Sequence, residues 1–520
     1  MSFTDAATSA GAGARPRHPI FDKLQLSKSR FTAGLQCHKR LWLEVHEPDA
    51  PELTRTPAEQ AILDRGIRVG EVARGHVPGG VLIDAPHRDR ARRVRETKRA
   101  VKSGAQVLYE AAFFEGGIFV ATDILEHDGG GWTLAEVKST TKVKAAHIPD
   151  AAVQRYVLER AGLCVRRVEI MHLNRECQFP NLSNLFVRSD VTHETELALP
   201  SIPGEAKRQL KVLHGPCPNV PAGEHCHEPY ECPFLPRCAP PLPNHHVSTL
   251  HRIRRTKVAE LVQQGCHTIF DLPGGLVLSA VTERQRKAVV AGRMIVEPGL
   301  GAALAALEPP VAYLDFETVA LAIPVWKGCR PYDAVPVQFS VHFEDGQHHE
   351  WIADGPADPR EKLAAALVHA VRGAKRIAAY NSPFERRCIE HLRDNLPRTA
   401  KALEGVIARL VDVLPIVRDH VYHPDFGGSF SLKRVFPALL GRDGYAELEI
   451  ADGGTASVEL ERLMFDLELT ESSRSKAKAS LLEYCSLDAM PLVDLVECLR
   501  ALGGPVGIPP HIDHGQQEKE

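Results

Sequence analysis

The sequence predicts an α/β multidomain protein. Strand-like runs over 107–137 lead into a helical pattern and a further strand, and a second set of apolar strands opens at Val311 with a crossover helix among them. Between the two lies a stretch rich in proline and cysteine. Strands alternating with helices imply α/β sheets. A length of 520 residues implies two or three cores rather than one that keeps growing.

Composition agrees with folded domains and excludes several classes. Hydrophobic residues make up 44% and charged residues 25%, so each domain has material for a core and wholesale disorder is excluded. The 39 glycines and 38 prolines are aperiodic, which excludes collagen. No run approaches the roughly 18 apolar residues that cross a bilayer, so no membrane partner is expected. The opening MSFTDAATSAGAGARPRHPI lacks the apolar centre of a secretory signal, and 12 cysteines are too sparse for a disulfide scaffold. A cytoplasmic, reducing location is the expectation. The net charge of −3 neither demands nor excludes nucleic acid, since a basic face is easily balanced elsewhere.

In chain order, residues 1–22 read as a flexible arm of small residues. Within LSKSRFTAGLQCHKRLWLEV, Ser27 or Ser29 would cap a short helix. A helix is expected from Pro57 to Arg74, and a basic amphipathic one within Asp84 to Lys102, which holds eight Arg or Lys against three acids. Strands follow at 107–114, 117–125 and 132–137, with GGG at 129–131 as a hairpin connection. A helix over 147–161 and a strand over 165–173 complete this part. Residues 214–246 contain nine prolines and four cysteines, so they fit neither helix nor strand and need a staple. Two short helices about a glycine turn fit 251–294, with Arg252, Arg254, Arg255 and Lys257 at their front edge. Strands at 312–316, 335–343 and 377–379, a helix over 359–371 and a terminal helix over 481–502 make the last region. No internal repeat is evident.

Three groups of residues carry chemistry. Asp123 ends one strand, and Glu136 with Lys138 ends the next, two apart and therefore on one face. Two carboxylates there would hold a divalent cation that activates water at a phosphodiester, with the lysine beside it. Cys226, Cys232 and Cys238 are evenly spaced, with Cys37 far upstream and Cys217 a competing thiol. Paired cysteines two to four residues apart, the habit of structural zinc, are missing. Finally, Asp315 and Glu317 share a strand end, Tyr484 and Asp488 share a helix face, and Glu385 and Asp412 lie between them in sequence. Carboxylates converging from a strand and separate helices would repel unless two cations neutralised them, and Tyr484 would orient the attacking water. Taken singly, Asp412 also reads as a helix cap, Glu385 as a surface acid and Tyr484 as a buried aromatic.

Beyond residue chemistry, GIFVATDILEHDGGGWTLAEVKSTTK resembles the core motif of the PD-(D/E)XK superfamily in its RecB-type branch. The resemblance implies a restriction-endonuclease-like core with Asp123 and Glu136 as metal ligands, Lys138 as the catalytic lysine and Gln154 as the glutamine of the following helix. Leu158 stands where that branch has tyrosine, and Glu71 would substitute for its upstream histidine as a ligand. The cysteine plan is similar to that of iron–sulfur nucleases of this branch, including those of CRISPR adaptation. It implies a [4Fe-4S] clamp on Cys37, Cys226, Cys232 and Cys238. YLDFETV, YNSPFE and LLEYCSLDAM resemble the DEDD exonucleases of the RNase H-like fold in their tyrosine-bearing form. Asp315, Glu317, Asp488 and Tyr484 would then be its site, with Glu385 in place of an aspartate and Asp412 as the other candidate.

Over residues 24–502 the chain resembles a bacterial family that fuses these two modules. The resemblance implies an arm (1–22), a RecB-type nuclease with the cysteine cluster (23–245), a small helical linker unit (246–300), an RNase H-like exonuclease domain (301–503) and a tail (504–520). The expected function is a Mg²⁺- or Mn²⁺-dependent nuclease with two active sites, acting on DNA ahead of RNA. The C-terminal site would work from 3′ to 5′. The alternative is a nucleic-acid-binding repair or defence scaffold with one or both sites inactive. Protein partners are not implied.

Overall fold

The computed structural model describes residues 24–442 and 452–504. The arm over 1–22, most of the tail over 504–520 and residues 443–451 lie outside the described residues. The protein is an α/β multidomain chain that divides into two compact units, Met1–Pro240 and Pro241–Glu520. No helix among the described residues is long and apolar enough to cross a membrane.

The first unit opens with β1 (Leu26–Ser27), α1 (Lys28–Gln36), α2 (His38–His46) and α3 (Pro57–His76). Ser27 caps α1 by accepting from the Arg30 N–H, and Thr56 with Glu59 forms a capping box on α3. β2 (Val81–Leu82), α4 (Arg90–Lys102), β3 (Val107–Glu115), β4 (Ile118–His127) and β5 (Trp132–Lys138) follow. Next come α5 (His147–Arg160), β6 (Val165–Leu173), β7 (Phe186–Asp190), α6 (Thr192–Ala198), α7 (Ile202–Leu213) and the single turn α8 (Leu235–Cys238). The sheet runs β2-β3-β4-β5-β6-β7, and β1 pairs in parallel with the part of β4 around Ile118. The β4–β5 hairpin turns at the three glycines, where the Asp128 carboxylate accepts from the Gly130 and Gly131 N–H groups. Leu108, Val120, Leu134, Val153, Val157 and Ile170 are fully buried between this sheet and α5.

The second unit begins with α9 (Arg255–Gln263), α10 (Ala280–Ala291), β8 (Ile295–Val296) and α11 (Leu300–Leu304). β9 (Val311–Val319), β10 (Val335–Phe343), β11 (His348–Ile352), α12 (Arg360–Ala370) and β12 (Arg376–Ala379) come next. They lead to α13 (Pro383–Asn395), α14 (Ala400–Arg409), β13 (Leu410–Asp412), α15 (Val413–His420) and β14 (Val421–Tyr422). α16 (Leu432–Leu440), α17 (Gly453–Phe465) and α18 (Glu471–Gly503) close the chain. The main sheet has the order β11-β10-β9-β12-β13, antiparallel among the first three and parallel among the last three. Helices α9 and α10 do not stand apart. Leu261, Ile269 and Val289 share one buried cluster with Tyr313, Tyr422, Phe426 and Val496. α18 also starts ten residues earlier than the apolar pattern implies, capped by Thr470.

Two glycines after Phe426 let the chain approach residue 249. Gly428 has φ +85°, and an added Cβ would run into the Thr249 carbonyl, whereas Gly427 at φ +57° faces open space. Gly428→Ala should therefore destabilise the second unit by more than ~2 kcal/mol, and Gly427→Ala by about 1 kcal/mol. Urea unfolding of the two variants checks the difference.

Candidate functional site

In the first unit the sheet brings Asp123, Glu136 and Lys138 together. The register pairs Ile124 with Ala135, so Asp123 and Glu136 lie opposite each other. The Asp123 carboxylate accepts from the Val137 N–H at 2.7 Å. Lys138 Nζ lies 3.0 Å from Glu136 Oε1, and Gln154 Nε2 on α5 donates to Glu136 Oε2 at 2.7 Å. Burial, reinforced by the Glu136 charge, pushes Asp123 up to about 8. Burial acts upward on Glu136 too, but Lys28 and Lys138 outweigh it and hold that carboxyl below its usual range.

Three members of this group had no signal in the motif. Lys28 at the start of α1 places Nζ 2.6 Å from Glu136 Oε1. Asp150 on α5 takes the other side of Lys138 at 2.6 Å. Glu110, on β3 with φ +57°, acts on Asp123 electrostatically and is held by Arg93 at 3.2 Å and Arg74 at 3.6 Å. A non-glycine residue in the left-handed region costs about 1–3 kcal/mol and is found where surrounding structure enforces it. Glu71 does not join them. The neighbouring Val69 and Ala73 are buried, which turns Glu71 outward to an ion pair with Arg68 at 3.1 Å. That placement corrects its expected part as a ligand.

The basic stretches fall in different units. In α4, Arg93 is buried on Glu110 rather than exposed, Arg92 pairs with Glu96 at 2.6 Å, and the Arg90 guanidinium sits 5.0 Å from the Phe119 ring centroid.

The cysteines gather at one end of the same unit. Gln36 Nε2 donates to the carbonyls of His225 at 2.8 Å and Tyr230 at 2.7 Å, and Trp42 Nε1 to that of Gly215 at 2.9 Å. Arg237 pairs with Glu47 and Glu52. These bonds lay the proline-rich segment against α1 and α2. Cys226 and Cys232 are buried in a small cluster with Leu43, Ala50 and Phe234, with Cys238 packed at its edge. Burial pushes the Cys232 thiol up, and the nearby Cys226 and Cys37 add to it. Cys217 is exposed, yet it too interacts with Cys238 and Cys37. All five are free thiols linked by mutual electrostatic interactions, but no three of their sulfurs lie within 4.8 Å of one another, so they do not form a ready single-ion site.

In the second unit, Asp315, Glu317 and Asp488 place ligand atoms within 4.8 Å of one another, and no other such group occurs among the described residues. Asp315 and Glu317 share a face of β9 opposite Ser340 and Gln338. Gln338, fully buried, donates to the Leu481 carbonyl at 2.7 Å, and His342 meets Ser486 at 3.1 Å, which presses α18 onto β10. Cys485 Sγ lies 3.7 Å from Asp315 Oδ2. Tyr484 and Asp488 thereby face Asp315 and Glu317, which lie inside β9 rather than at the expected strand end. Burial, with Asp488 beside them, pushes Asp315 well above its ordinary value and Glu317 up to about 8. Glu385, at the start of α13, is 4% exposed and burial pushes it up to about 7. It interacts with Asp315, and its Oε2 is buried without a hydrogen-bond partner. Asp412 instead caps α15, accepting from Leu414 at 3.0 Å and from the Asn381 N–H at 2.9 Å. Clustered acids with an orphaned buried oxygen suit divalent cations.

The segment GSFSLKRVFPAL, residues 428–439, reaches this site. Phe430 packs on Tyr422 and Phe426, and its carbonyl accepts from Tyr380 Oη at 2.7 Å. The turn that follows sets Lys433 Nζ 5.6 Å from the Tyr484 ring centroid.

A family described as a domain of unknown function (DUF2779) matches residues 312–431, which include Asp315, Glu317, Glu385 and Asp412 but end before Tyr484 and Asp488. No curated protein matches the chain.

The raised acids make stability depend on pH in metal-free buffer. The folded state holds the Glu317 and Glu385 protons more tightly than the unfolded chain, so their contribution is complete below about pH 4.5 and is lost as pH rises towards about 8. Glu317→Gln should recover on the order of 2 kcal/mol at pH 8 and little at pH 4.5. Thermal unfolding in a chelator across this range checks it, and Mg²⁺ should flatten the same profile.

Proposed function

We propose that the protein is a metal-dependent nuclease that hydrolyses phosphodiester bonds of nucleic acid, DNA ahead of RNA. The observation that carries this reading is the convergence of Asp315, Glu317 and Asp488 from within strand β9 and from helix α18, with buried Glu385 nearby. The sheet order β11-β10-β9-β12-β13 supports an RNase H-like domain, and the Asp123, Glu136, Lys138 and Gln154 group supports a PD-(D/E)XK core in the first unit.

In the second unit Asp315, Glu317, Asp488 and Glu385 would hold Mg²⁺ or Mn²⁺. When bound, such ions supply an activated water and neutralise charge on the phosphate. The chain's own groups do the rest. The hydroxyl of buried Tyr484, held towards Asp488, is positioned to orient a water, and Lys433 offers positive charge beside it. In the first unit Asp123 and Glu136 would hold the ion, while Lys138, braced by Asp150, lies beside it to stabilise charge that develops in the transition state. Cys37, Cys226, Cys232 and Cys238, with Cys217 as competitor, would bind a [4Fe-4S] cluster that staples the proline-rich segment.

One observation favours the scaffold reading for the first unit: Glu136 is already engaged by two lysines and a glutamine. Cleavage assays separate the readings. With Lys138→Ala silencing the first site, end-labelled single strands under Mg²⁺ or Mn²⁺ should lose the 3′ label first, and Asp315→Asn should then cut the rate by about 100-fold or more. Persistence of both labels would leave the second unit a binding module.

Protein purified without oxygen should be brown, with iron, and Cys232→Ala should bleach it and destabilise the first unit. One equivalent of zinc without iron would overturn the cluster assignment.

A further inference from the structure

Glu136 Oε1 is shared by two ammonium groups from distant parts of the chain. Lys28 Nζ lies 2.6 Å away and Lys138 Nζ 3.0 Å away. Both lone pairs of Oε1 are thereby engaged, while Oε2, which takes Gln154 at 2.7 Å, keeps one lone pair in a carboxylate that is only 1% exposed. The two ammonium groups therefore compete with a divalent ion for this carboxylate: an ion on Oε1 must displace one of them, and an ion on Oε2 meets their repulsion at close range. The geometry distinguishes the two. Lys138 has a second carboxylate partner in Asp150 at 2.6 Å and stays braced when Glu136 is taken. Lys28 forms its ion pair with Glu136, is 26% exposed along its side chain, and stands on the first residue of α1. Its backbone is fixed there, because Ser27 pairs with Phe119 of β4 and caps the helix. Only its flexible side chain is free to swing.

We propose that Lys28 is an exchangeable cation of the first-unit site. Without a divalent ion it occupies Glu136; when the ion takes that carboxylate, the ammonium turns to the incoming phosphodiester and holds it. This rests on the nuclease reading of the first unit. Lys28 is then a phosphate-binding residue in the loaded enzyme and a competitor of the metal in the free one, two roles that a purely structural salt bridge would not combine.

The test uses full-length protein carrying Asp315→Asn and Asp488→Asn, so that metal binding and cleavage report on the first unit. Mn²⁺ is titrated calorimetrically without nucleic acid, with Asp123→Asn identifying the signal of this site. Lys28→Met and Lys28→Gln should each bind Mn²⁺ about three- to tenfold more tightly, because the competing cation is gone. With saturating Mn²⁺ and single-stranded DNA, both should raise KM by about tenfold with kcat changed much less, and Lys28→Arg should restore most of both effects. Thermal unfolding reports whether each variant folds; the Gln form keeps a polar contact to Glu136 if the Met form does not. Unchanged or weaker Mn²⁺ binding in the folded variants, or a parent that binds no Mn²⁺ here, would overturn the exchange. A parent that binds Mn²⁺ yet cleaves nothing would defeat the nuclease reading alone, and the metal titration would still decide whether Lys28 competes.

Discussion

Buried carboxylates that face one another raise the free energy of a fold until opposite charge reaches them, and both units are arranged around that constraint. The first meets much of it from within the chain, with Lys28 and Lys138 on Glu136 and arginines on Glu110, although Asp123 stays raised. The second leaves much of it unmet, since Asp315, Glu317 and Glu385 are all pushed upward, and Lys433 acts on Glu317 too weakly to reverse this. The same type of residue at the same place on a strand thus has two electrostatic settings. One is largely offset by the chain's own lysines and arginines, and the other is not.

Each setting depends on a frame that holds the acids where repulsion would otherwise drive them apart. In the second unit that frame is the clamp of α18 on β10. Gln338 and His342 bind Leu481 and Ser486, so the helix cannot turn Asp488 away without breaking buried hydrogen bonds. In the first unit the frame is the β4–β5 hairpin, which uses the Val137 N–H to fix Asp123 and thereby its distance from Glu136.

Local periodicity made much of this legible in the sequence. Glu136 with Lys138, and Asp315 with Glu317, are two apart on strands, and Tyr484 with Asp488 four apart on a helix; those spacings report a shared face directly. The three-glycine hairpin and a serine cap at Ser27 or Ser29 were legible from turn and capping chemistry, and the cap is Ser27. Lys28, Glu110 and Asp150 were not, because they arrive from separate elements, and the positive φ of Glu110 leaves no mark on a charged residue's identity. Glu71 misled because its motif neighbourhood matched while its helix phase, set by Val69 and Ala73, faces outward. Residues 246–300 read as a separate unit since their apolar residues are adequate for a small core, yet they are spent on a larger shared one.

The embrace of α1 and α2 by the proline-rich segment has a consequence for biosynthesis. A ribosome releases residues 36–52 long before residues 215–238, yet these are the partners that Gln36, Trp42, Glu47 and Glu52 require. The amino-terminal helices therefore emerge without their binding surface and must wait, partly formed, until nearly the whole unit has been translated. Such long-range closure slows folding and leaves Leu43 without its partners Cys226, Cys232 and Phe234 meanwhile. A nascent chain stalled before residue 215 should therefore be a good client for chaperones, whereas one released past residue 240 should bury this surface on its own.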